Sequence, residues 1–118
     1  MSTTPLEESS FHTELLEQLP VLPEATTSRV VVNNSLLRHV LFSMDEGQVL
    51  TEHSSSRSVI VNILSGTIEF SIGSEVKALE AGDVVYLAPG DRHAVRAITA
   101  GHMSLTLVDT EYSAKEQS

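Results

Sequence analysis

From residue 29 to residue 108 the chain is a succession of short apolar, β-branched runs, each ended by residues that favour turns. Nine runs read as strands, at 29–33, 36–44, 49–53, 57–64, 67–72, 76–79, 83–88, 93–98 and 103–108. The breaks hold Asn33-Asn34, Glu46-Gly47, Ser65-Gly66, Gly73-Ser74, Ala81-Gly82, Pro89-Gly90 and Ala100-Gly101. Gly73-Ser74, between Ile72 and Glu75, has the length of a two-residue hairpin turn. Ile68, Phe70 and Ile72 alternate with Thr67, Glu69 and Ser71, the pattern of a half-buried antiparallel strand. Val84-Val85-Tyr86-Leu87 is apolar on both faces, which predicts cover on its outer side from a second copy of the chain or an N-terminal helix. Nine short strands without a long helix predict an antiparallel sandwich or barrel, because a flat open sheet would leave long edges exposed.

Before residue 29 the pattern differs. Residues 1–28 read as a polar lead and a short helix, with Ser10 as its cap and Phe11, Leu15, Leu16 and Leu19 as its apolar stripe. Pro20 and Pro23 end it. So short a helix must dock on the barrel wall or on a second copy. Residues 29–110 form the barrel and 111–118 a loose polar tail, so 118 residues make one domain.

Composition removes several classes of function. The chain has no cysteine, hence no thiolate nucleophile, iron–sulfur cluster or cysteine-based zinc site. Sixteen acidic residues against seven basic ones leave a net charge of −9, a field that repels nucleic acid. No stretch reaches the roughly 18 apolar residues of a membrane helix. Met1 to Pro5 lacks the basic and apolar pattern of a secretory leader, and a cytoplasmic location is expected. There is no phosphate-cradling loop, dinucleotide fingerprint or nucleophile elbow.

Two segments resemble the motifs of the cupin superfamily. In the first, Gly47 is followed after five residues by His53, and the motif closes on Gly66. In the second, Gly82, Gly90 and His93 fall in register, with Ala88 at the proline place. The resemblance implies an all-β antiparallel jelly-roll barrel, the double-stranded β-helix of cupins, with a short N-terminal helix. It also implies a pocket inside the barrel. Metal-binding cupins typically carry three histidines and a glutamate. Here Ser55 stands for the second histidine, Val59 for the glutamate, and Ala97 for an asparagine that some members carry in the second motif.

His53, Ser55, Arg57 and Val59 share one parity in a regular strand, and His93 shares parity with Val95 and Ala97. The expected ligand-binding set is therefore His53, Ser55, Arg57, Tyr86, Arg92 and His93. The arginines suit a carboxylate, and Tyr86 supplies either a hydroxyl or core bulk. His53 and His93 are the metal-ligand candidates, for a divalent ion such as Zn, Fe, Mn or Ni. They fall short of three donors unless Glu52 or Asp91 joins them. His39 and His102 are spare imidazoles, and His102, out of phase with Met103, Leu105 and Leu107, is expected outside. Three functions follow: a small-molecule-binding protein, expected to be a homodimer; a metal-dependent oxygenase or isomerase; or a structural or regulatory dimer. Whether the chain is an enzyme stays open.

Overall fold

The structure, a computed structural model, describes residues 4–109. The tail expected at 111–118 lies outside the described residues. All nine strands are present: β1 (Thr26–Asn33), β2 (Leu37–Met44), β3 (Val49–His53), β4 (Ser58–Ser65), β5 (Thr67–Ile72), β6 (Glu75–Glu80), β7 (Val84–Leu87), β8 (His93–Ala97) and β9 (Gly101–Val108). They form two antiparallel sheets, one ordered β1-β2-β9-β4-β7 and the other β3-β8-β5-β6. This is the jelly-roll architecture that the resemblance implies, within the sandwich or barrel class expected from the spacing of runs and turns.

Period-two alternation decides what the two sheets bury. One wall supplies Met44, Val59, Val61, Ile63, Val85, Leu87 and Met103, and the other supplies Ile68, Phe70, Val95 and Ala97. Phe42, Leu105 and Leu107 complete the first wall, and Leu50, Ile72 and Leu79 the second. The central strands contribute alternate residues, which makes the core continuous between the two sheets.

The N-terminal segment departs from the sequence expectation. The helix spans only Leu15–Gln18, preceded by Glu14 in a left-handed conformation. Ser10 does not cap it and instead hydrogen-bonds His12. Phe11, placed on the apolar stripe, is 97% exposed. A helix this short gains little from nucleation. The segment is fastened to the outer face of the first sheet: Thr4 N–H donates to Asn33, Ser43 Oγ to the Pro20 carbonyl, and His102 Nε2 to the Leu19 carbonyl at 2.8 Å. On that face Leu41, Ser43 and Ser104 are buried. His102 points outward, as its parity predicts, and shares a second bond with Ser65 Oγ.

His39 also points to this outer face and shares a 2.8 Å hydrogen bond with Thr106 Oγ1. Burial, and secondarily the neighbouring His12, hold its pKa below the ordinary histidine value of 6.5. The folded state therefore prefers neutral His39, and the unfolded chain takes up the proton first as pH falls. Stability from this group is complete above about pH 6.5 and declines as pH drops below it. Melting temperature should fall between pH 7 and pH 5, and His39→Gln should flatten part of that slope. An unchanged slope in the variant would remove His39 as its source.

Candidate functional site

The site lies where β3 ends and β8 begins. Gly90, with φ of 86°, makes the turn before β8 and donates its N–H to the Ser55 carbonyl at 2.7 Å. That bond ties the loop after β3 to the loop before β8. The backbone register then sets His53 directly opposite His93, and His93 opposite Ile72 on its other side. His93 is 5% exposed and in phase with the buried Val95 and Ala97. Its Nδ1–H donates to the Asp91 carbonyl at 3.3 Å.

The other expected residues are placed differently. Between Leu50 and His53, two residues of β3, Thr51 and Glu52, face one of β8, Ala94, which is a bulge. The chain leaves the sheet after His53 and re-enters the opposite sheet at Ser58, so residues 53–59 are not one strand and share no parity. Ser55 lies in the intervening loop, and its Oγ accepts the Arg57 N–H at 3.1 Å. Arg57 is exposed just before β4. Arg92 is exposed and pairs with Glu52 at 3.0 Å. Tyr86 is on the outer face of β7, 57% exposed, with its hydroxyl 3.4 Å from Ser58 Oγ. It is neither in the interior nor core, because the alternation of β7 turns Val85 and Leu87 inward instead.

Sequence reasoning missed Arg38. It stands opposite Leu107, which stands opposite Val59, which stands opposite Leu87. Directly paired residues share a face, so this row puts Arg38 on the inner wall. The end of the barrel is the same one that holds His93, because β4 starts just after His53 and β7 ends just before His93. Arg38 Nε is buried without a hydrogen-bond partner, and among the described residues the guanidinium makes no ion pair. The signal was available: Arg38 is in phase with Val40, Phe42 and Met44.

A resident metal fits this donor set poorly. The position of the motif glutamate does face inward, but it is Val59, packed in the apolar core. Glu52 is committed to Arg92, and Asp91 turns its carbonyl toward His93. No group of three potential ligands gathers among the described residues. Sites of the usual kind hold the ion with three or four side chains.

Two facing jelly-roll sheets with an inward imidazole at the start of β8 define a small single-domain cupin barrel. The Cupin domain profile matches residues 40–109, more than half of the chain, and the protein belongs to that family. A conserved Streptococcus pyogenes protein of unknown function is similar over 92% of this chain and 96% of its own, at 30% identity and a TM-score of 0.79. A cupin superfamily protein from Desulfitobacterium hafniense is similar over 91% and 95%, at 17% identity and a TM-score of 0.77. Salicylate 1,2-dioxygenase from Pseudoaminobacter salicylatoxidans shares the fold over 86% of this chain and 31% of its own, at 18% identity and a TM-score of 0.69. No curated protein matches the chain in sequence.

Proposed function

We propose that this protein is a small-molecule-binding cupin whose pocket lies at the barrel end that carries His53 and His93. One observation carries the reading. A polar ring, His93, is buried in phase with the apolar Val95 and Ala97, and its backbone partner across the strand pair is a second histidine. Interior positions of a small barrel are normally apolar, and convergent polar groups in an apolar cavity are the usual form of a ligand site. The donor set argues against a metal-dependent oxygenase, and the likeness to a dioxygenase is one of fold. The proposed protein acts as a homodimer. Support comes from the outer face of β4 and β7, where Ile60, Leu64, Val84 and Tyr86 are exposed and uncharged on a chain of net charge −9.

The test is an NMR titration of the whole protein with benzoate, benzamide and benzylamine, an anion, a neutral molecule and a cation of one shape. At least one should shift the amides of His93 and Val95. His93→Ala should abolish that shift while melting within about 4 °C of wild type, the equivalent of about 1 kcal/mol. If all three probes leave His93 and Val95 untouched, the pocket is lost as an idea. A collapse of the variant's melting temperature would make His93 structural. Elemental analysis of protein purified without chelator should give well under one ion per chain, and a stoichiometric ion would restore the metalloenzyme reading. Light scattering on the same samples should give twice the 12.8 kDa chain mass.

A further inference from the structure

We infer that the molecule bound in this pocket is an anion with an apolar body, a monocarboxylate in chemical class, and that Arg38 is the residue that selects it. The inference rests on the proposed pocket and adds the charge of its ligand. Its basis is an orphaned cation. Arg38 is on an interior strand position, in a row with Leu107, Val59 and Leu87. Asn33 is its partner on the β1 side and Leu107 on the β9 side, and its Nε has neither water-exposed surface nor an acceptor.

A guanidinium is always charged and presents donors in a planar fork, so leaving one of them buried and unpaired costs stability. The chain carries sixteen acidic residues, enough to supply a partner, yet among the described residues none pairs with Arg38. The two other arginines weighed for a ligand behave otherwise: Arg92 is paired with Glu52, and both it and Arg57 are exposed. An unpaired inward cation in a strongly acidic protein is the arrangement of a site whose counter-charge arrives with the ligand.

The sheet order relates Arg38 to His93. In one sheet β2 lies next to the edge strand β1, and in the other β8 lies next to the edge strand β3. The turn from β2 to β3 is tied to the end of β8 by Gly47 N–H to the Ala97 carbonyl at 2.8 Å and by Ala97 N–H to the Gln48 carbonyl at 2.9 Å. These bonds hold β2 on the same side of the barrel as β3 and β8. Arg38 at the start of β2 and His93 at the start of β8 then belong to the same barrel end. A carboxylate beside Arg38 at this end accepts two parallel bonds from the guanidinium.

The probes separate this inference from the pocket itself. Benzoate should bind wild type about tenfold or more tighter than benzamide, the difference expected for bonds to a charged group. Arg38→Gln should bring benzoate down to the benzamide level. Arg38→Lys should recover part of the difference, having the charge without the fork. In buffer free of anionic ligands, Arg38→Met should melt no lower than wild type, since it removes an unsatisfied cation from an apolar wall, and benzoate should raise the melting temperature of wild type only. Equal binding of benzoate and benzamide at His93, or unchanged benzoate affinity in Arg38→Gln, overturns the anion inference while the pocket stands. A clear drop in the melting temperature of Arg38→Met shows Arg38 to be structural and overturns it as well.

Discussion

Gly101→Ala is expected to lose about 3 kcal/mol or more, a large share of the roughly 5–15 kcal/mol that holds a domain of this size together. A Cβ built on Gly101 lies 2.3 Å from the Ser65 carbonyl oxygen and 3.1 Å from Gly66 Cα. The clash is reciprocal, for a Cβ on Gly66 meets the Ala100 oxygen at 2.3 Å and Gly101 Cα at 2.8 Å. Every one of these neighbours is backbone, so no side chain can rotate away. Gly101 is also the register partner of Met44, which is fully buried, so a shift of Gly101 pulls on the centre of the first sheet. Gly73→Ala is the contrast. Its Cβ meets nothing within 4 Å, and only its φ of 58° is unfavourable, at about 1 kcal/mol. Urea unfolding of both variants measures the difference. A loss at Gly101 no greater than at Gly73 would mean that the two turns can part without harm.

Ile68→Ala is expected to cost about 2–5 kcal/mol, the range for truncating a large aliphatic side chain in a packed core. Ile68 is fully buried, with Leu79 and Ala97 as its register partners on the two flanking strands. Its neighbours are held on both sides by strand pairing and cannot close the void. Val76→Ala, at an outward position of β6 that is 57% exposed, should fall within about 0.5 kcal/mol of wild type. Equal losses at the two positions would contradict the assignment of inner and outer faces.

The strands were legible because their signals are local. Alternation in 67–72 and the two-residue turn at Gly73-Ser74 determine pairing between neighbours, and the observed register of β5 with β6 runs from Thr67–Glu80 to Ile72–Glu75 without a shift. The short N-terminal helix is present, but the cap and apolar stripe assigned to it failed for the opposite reason. Its stripe was a local pattern, but the outer face of β2 and β9 offered polar partners in Ser43 and His102, and the segment followed those instead. The parity carried from His53 through Val59 failed at a change of sheet between β3 and β4, which has no one-dimensional signature.

The amino-acid sequence by itself determined that this chain is a cupin of short antiparallel strands, through period two, turn glycines and two motifs, all of them short-range properties. Tertiary structure alone decided which side chains meet. Closure of two sheets brought Gly66 against Gly101 and decided which face of β7 lines the interior, leaving Tyr86 outside. Contacts between residues distant in the chain depend on register and sheet crossing, and a single bulge or crossover reassigns them without changing any local pattern.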